Sequence, residues 1–172
     1  MVPVVVVTGP VGVGKSTVLA AADRLLANAA VAHATVVLSE VGRCWASAPH
    51  TAPTERVIYR NLGALWSNFA AVGAQRLLIE LILDDDAAAQ LQHLRAAVPE
   101  AEVTVVRLQA PITLIEQRIR RRDPYPDDEL SAARWLAPRL EHLGIGDLVV
   151  ENGRRAPGEV AAEILHAVGW LP

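Results

Sequence analysis

"VVVVTGPVGVGKSTVLAAADRLL", residues 4 to 26, decides how this 172-residue chain is read. Four consecutive valines suit a strand buried on both faces, and from Ser16 onward the apolar residues recur at helical spacing. Between the two lies a glycine-rich turn with one lysine and two hydroxyls, so the chain passes from strand to helix around a ligand. Lys15 is the only lysine present; every other member of the Lys+Arg total of 16 is arginine. A compact ammonium suits a phosphate site that a planar guanidinium fork would fill differently.

Gly9, Gly14, Lys15 and Ser16 match G-x-x-x-x-G-K-[ST] in full, with the preceding strand and following helix that the pattern requires. Glycines allow backbone conformations that are costly for other residues, and they bring backbone N–H groups, those of Gly12 and Val13 included, close to phosphate oxygens. The helix N-terminus adds partial positive charge. On this reading Lys15 reaches the β- and γ-phosphates of a nucleoside triphosphate, the Ser16 hydroxyl ligates Mg²⁺, and Thr17 lies by the α-phosphate.

Composition limits the partners. A net charge of -3 supplies no overall basic field for nucleic acid. No segment reaches the roughly 18 uninterrupted apolar residues of a membrane span, and the apolar start lacks the basic flank of a signal peptide. The lone cysteine, Cys44, cannot form an internal disulfide, and no Cys/His spacing resembles a zinc site, so a cytoplasmic location is expected. The 52% hydrophobic content is ample for one core, and a single domain over 1–172 is expected.

Short apolar runs at 2–8, 34–40, 76–83, 102–109 and 147–152 alternate with helical patterns at 16–29, 54–73, 85–97, 111–122, 127–143 and 157–168. This alternation predicts an α/β fold, a parallel sheet with helices on both faces and ligands at the carboxyl ends of its strands.

With these features the chain resembles the P-loop nucleoside triphosphatases, and among them the small P-loop kinases: the nucleoside monophosphate, shikimate, gluconate, adenylylsulfate and chloramphenicol kinases. The resemblance implies a three-layer α/β/α fold with a five-stranded parallel sheet in the order 2-3-1-4-5 and a small arginine-bearing lid, here about 118–135. It implies ATP and Mg²⁺ as cofactors and a small-molecule phosphate acceptor. An N-K-x-D guanine motif and an LSGGQ-like signature are both missing, which disfavours GTPases and transporter ATPases.

The family position at the carboxyl end of the second strand falls on "LSEVGR". There Glu40 would orient or deprotonate an acceptor alcohol, and Arg43 would hold an anionic acceptor or transition-state charge. Glu80 interrupts an apolar strand, where an unpaired buried carboxylate would be costly. The resemblance makes it a Walker-B-like acid that binds Mg²⁺ through water. Asp84 competes for that role, although Asp84, Asp85 and Asp86 also suit the first turn of a helix.

In the lid, Arg118 and Arg122 stand one helical turn apart, with Arg121 beside Arg118, and would neutralise charge on the transferring phosphoryl group. A basic face paired with Glu116 and Asp123 is the bland alternative. Asn152, Gly153 and Arg154 would border the nucleotide base, and Arg60 and Asn61 would contact the acceptor. Trp66 and Phe69, at i and i+3, read as core. The leading function is therefore an ATP- and Mg²⁺-dependent small-molecule kinase. Its acceptor is a metabolite, nucleoside or nucleotide, or antibiotic hydroxyl. A nucleoside monophosphate kinase and an ATP-binding regulatory switch that transfers nothing are the alternatives.

Overall fold

The computed structural model describes residues 1–41 and 52–172, with side chains described from residue 57 in the second stretch. Strands β1 (Val2–Thr8), β2 (His33–Val37), β3 (Arg76–Glu80), β4 (Ala101–Gln109) and β5 (Leu148–Glu151) form one sheet in the order β2-β3-β1-β4-β5. Every pairing is parallel. The helices among the described residues are α1 (Lys15–Asn28), α2 (Leu38–Val41), α3 (Ala52–Ala71), α4 (Ala87–Ala97), α5 (Ile112–Arg122), α6 (Asp127–His142) and α7 (Pro157–Ala167). The expected α/β class, strand number, parallel sense and strand order are all observed.

The valine run explains why β1 is central. Successive side chains of a strand point to opposite faces, and both faces of β1 are apolar. Val5 and Val7 join Leu19 and Leu26 of α1, Ile115 and Ile119 of α5 and Ile164 of α7 in one core. Val4 and Val6 join Leu62 and Trp66 of α3 and Leu94 of α4 in the other. At about 25 cal/mol per Å² of apolar area, a strand that buries both faces contributes roughly twice what a half-exposed one does.

Two boundaries differ from the expected ones. The second strand ends at Val37, and 38–41 turn into the short α2, so Glu40 sits on a helical turn beyond the strand. The third strand ends at Glu80, paired opposite Val37, instead of running to Leu83. Apolarity misleads there because Leu81 and Leu83 are buried beyond the last ladder pair. The Leu81 amide donates to the Val7 carbonyl at 3.2 Å and that of Leu83 to the Thr8 hydroxyl at 3.0 Å. Glu80 therefore stands at the carboxyl edge of the sheet, where a polar group can reach a cleft. Trp66 is core as expected, and Phe69 is partly buried against it.

Candidate functional site

The strand order reverses at β1, since β3 lies on one side of it and β4 on the other. A crevice opens above such a switch point, and the loop from Gly9 to Gly14 fills its floor. Gly14 sits at the N-terminal boundary of α1 with φ +103°, and a Cβ there would lie 2.6 Å from the Asn152 amide nitrogen. Glycine lets the chain turn at this point while the loop after β5 closes on it.

The loop is held from behind by two side chains converging on one carbonyl. Asn152, buried after β5, donates its amide N–H to the Val13 oxygen at 2.7 Å. Arg118 of α5 donates to the same oxygen at 2.9 Å and to the Gly153 carbonyl at 2.5 Å. Two carbonyls that would otherwise repel an anion are thus engaged by donors. Asn152 and Arg118 are accordingly both supports of the loop and lining residues of the opening beside it.

Lys15 is only 6% exposed, and its Nζ donates to the Gly9 and Pro10 carbonyls at 3.0 and 3.1 Å. Burial disfavours the ammonium and lowers its pKa from 10.5 to about 8. The negative charge of Glu80 opposes this shift, the positive charge of Arg122 adds to it, and Glu129 opposes it more weakly. Arg122 itself pairs with Glu129 at 2.8 Å, across the break between α5 and α6.

One opening borders the loop, and another lies at the neighbouring strand ends. The first, about 300 Å³, is lined by Gly12, Gly14, Thr17, Arg118, Arg122, Asn152, Arg155 and Pro157. Its cations and the exposed hydroxyls of Ser16 and Thr17 suit polyphosphate. The other, about 200 Å³, lies on the β2–β3 side and is lined by Leu38, Ser39, Ile58, Tyr59, Glu80, Leu81, Ile82 and Gln90. Within it Glu80 Oε2 and Gln90 Oε1 are buried without hydrogen-bond partners. Such acceptors cost free energy until a donor arrives.

The structure thus gathers Gly9, Gly12, Val13, Gly14, Lys15, Ser16, Thr17, Arg118, Arg122 and Asn152 around one crevice, with Glu80 at its β3 margin. Arg43 lies outside the described residues, as do Cys44, Trp45 and His50. Glu40 is exposed on α2, and Arg60 and Asn61 are exposed on α3. The Asn61 amide donates to the Val41 carbonyl at 3.4 Å and so ties α3 to α2. Asp84 accepts the Asp86 amide in a local turn, and Asp85 pairs with Arg139 of α6. Arg120 pairs with Glu116 at 3.1 Å on the outer face of α5. Arg154 is exposed and does not line the crevice, whereas its neighbour Arg155 does. Arg155, Pro157 and Gln90 escaped the sequence reading: adjacent arginines look alike in sequence, and Gln90 reads as a surface position of an alanine-rich helix.

No protein-family model and no curated sequence matches the chain. Solved structures do. An APS kinase from Mycobacterium tuberculosis, in complex with AMPPNP and APS, superposes with a TM-score of 0.65 at 19% identity, over 98% of either chain. Shikimate kinase from Acinetobacter baumannii, in complex with shikimate, gives 0.62 at 20% identity, over 99% of this chain and 94% of that one. A gluconokinase from Sinorhizobium meliloti gives 0.59 at 18%, over 98% and 92%. The chain has the small P-loop kinase fold. Sequence identity this low carries the architecture and leaves the chemistry to be argued from the residues. Among the described residues no helix is long and apolar enough to cross a membrane.

Proposed function

We propose that this small P-loop kinase fold transfers the γ-phosphoryl group of ATP to a hydroxyl of a small molecule. The observation that carries the reading is the position of Glu80. Its charge acts on Lys15 in the phosphate loop, while its side chain, with one oxygen buried and unpaired, borders the neighbouring cleft. Donor and acceptor of a phosphoryl transfer must meet at such a junction.

Each residue then has a task. The loop amides from Val11 to Thr17 and the Lys15 ammonium hold the triphosphate, and Arg118 and Arg122 neutralise charge that develops on the transferring group. The residues about 118–135 act as the lid. Asn152 keeps the loop in shape, and Arg155, with or in place of Arg154, borders the base. For Mg²⁺, the exposed Ser16 hydroxyl and the unpaired Glu80 carboxylate fit a hydrated cation, which would spread the negative charge of the β- and γ-phosphates. Glu40, with Arg43, Arg60 and Asn61 nearby in sequence or on α3, receives the acceptor. Two residues in the described lining of the β2–β3 cleft hold unsatisfied oxygens, which favours an acceptor whose hydroxyl groups enter that cleft.

The test is transfer from γ-labelled ATP with Mg²⁺ to sugars, nucleosides, nucleotides, hydroxy acids and antibiotic alcohols. A labelled acceptor is expected among the polyhydroxylated compounds. No acceptor outperforming water would defeat the kinase reading and favour the regulatory switch. For Glu40→Gln the expected loss in acceptor phosphorylation is about 10²-fold or more, with nucleotide affinity retained. Steady-state kinetics beside calorimetry checks this; an equal loss of nucleotide binding would move Glu40 into the nucleotide or metal site.

Proton linkage offers a further check. Free Lys15 is half-protonated near pH 8, and a bound triphosphate favours the ammonium. Binding at pH 8 should therefore take up about half a proton, falling toward zero two units lower. Calorimetry in buffers of different ionisation enthalpy measures the uptake, and it should vanish in Lys15→Met.

A further inference from the structure

On the other side of the phosphate loop, between α6 and the β4–β5 half of the sheet, lies a cavity of about 540 Å³. Arg107 of β4 lines it. The residue is 8% exposed, its side chain forms no hydrogen bond or ion pair among the described residues, and its Nε is fully buried without a partner. A guanidinium carries five N–H donors and stays charged at any physiological pH. Leaving the buried Nε without an acceptor costs free energy, and the two terminal Nη groups are left free for a ligand in the cavity.

Its position is well determined. Arg107 pairs in register with Thr8 of β1 and Val149 of β5, and glycine at 146, with φ +116°, passes so close that a Cβ there would lie 2.9 Å from the Arg107 Cβ. The backbone and Cβ of Arg107 are thereby fixed at the cavity wall. The charged neighbours in the cavity wall are a second cation and two carboxylates, and none of them pairs with Arg107 among the described residues. Arg134, on α6, is committed to Glu116 at 2.7 Å. Glu141 of α6 and Glu151 of β5 line the same cavity, are exposed, and form no ion pair among the described residues. The cavity thus has an unsatisfied cation in its buried wall and two free carboxylates toward solvent.

We propose that this cavity binds a small zwitterion, a carboxylate that also carries an ammonium group, with the carboxylate on Arg107 and the ammonium toward Glu141 and Glu151. A planar carboxylate matches the guanidinium fork, and the two acidic residues disfavour a phosphate dianion or a bare dicarboxylate. The cavity shares Pro10 with the phosphate loop, and the Pro10 carbonyl holds Lys15, so the ligand would sit one residue from the nucleotide site without occupying it. The inference concerns binding alone and does not rest on phosphoryl transfer.

The experiment is calorimetric or NMR titration of the full chain, saturated with AMPPNP and Mg²⁺ so that the phosphate loop is filled. The probes are the common L-amino acids, γ-aminobutyrate and betaine, with malate and inorganic phosphate as anions that lack an ammonium. At least one zwitterion is expected to bind saturably with a Kd of about 1 mM or tighter. Arg107→Met should weaken that binding by about 10-fold or more, and Glu141→Gln on the exposed rim by a few-fold, AMPPNP affinity staying unchanged in both. Should Arg107→Met fail to fold, the Glu141→Gln and Glu151→Gln titrations decide. The proposal is overturned if no zwitterion binds, if malate or phosphate binds as tightly, or if the variants bind the zwitterion as wild type does.

Discussion

Lys15→Ala is expected to lower kcat/KM for phosphoryl transfer by about 10³-fold or more and to weaken triphosphate binding by about 10²-fold. The substitution removes the only lysine in the protein from a loop whose remaining donors are backbone amides and the Ser16 and Thr17 hydroxyls. The fold should survive it. The folded-state pKa of Lys15, about 8, lies below its ordinary 10.5, so between those values the unfolded chain binds more protons and stability rises with pH. Below about pH 8 the ammonium is charged in both states, and its burial penalty is present in full. Alanine removes that penalty together with the two hydrogen bonds to the loop carbonyls, so unfolding in urea at pH 7 should change by about 1 kcal/mol or less in net terms. Activity lost with stability retained identifies a functional lysine. Unchanged ATP turnover would remove the phosphate-loop assignment.

Gly9→Ala should act in the opposite way, through the fold first. Gly9 has φ +144°, which an L-residue rarely adopts, and its new Cβ would lie 2.7 Å from the Leu108 carbonyl oxygen and 3.0 Å from the Val13 side chain. The Leu108 oxygen is backbone of a fully buried residue in β4, so it cannot swing aside as a side-chain end could. We expect a destabilisation of about 2–4 kcal/mol and, for a chain of this size, a Tm lower by about 5–15 °C. Relief of the clash would have to move the loop, so nucleotide affinity should fall as well. Chemical denaturation beside a nucleotide titration measures both; an unaltered midpoint would mean that the loop approaches β4 less closely than the structure places it.

The residues that were legible in advance share a property. Gly9, Gly14, Lys15 and Ser16 form a local pattern, in which one strand end, one turn and one helix start lie within a few residues of each other. Glu80 was conspicuous because a carboxylate in an apolar run demands an explanation. Its place at the last residue of β3 was harder to see, because Leu81 and Leu83 continue the apolar run after the ladder has ended. Glu40 was placed on a strand and stands on a helical turn for a related reason: where a strand stops depends on its neighbour's length, and β2 and β3 stop together at Val37 and Glu80.

Taken by itself, the chain's order of residues determined the α/β class, the alternation of strands and helices and the phosphate-binding loop, because hydrophobic period and turn chemistry act over short separations. The family resemblance added the strand order. Tertiary structure alone decided which polar groups meet: Asn152 and Arg118 on the Val13 carbonyl, Glu80 beside Lys15, Gln90 across from Glu80, and Arg107 facing a cavity roofed by α6. Such partners are 10 to more than 100 residues apart, and their encounter is set by how helices pack on a twisted sheet. Whether a buried charge is paired or left unpaired is a property of that packing, and no local pattern of residues encodes it.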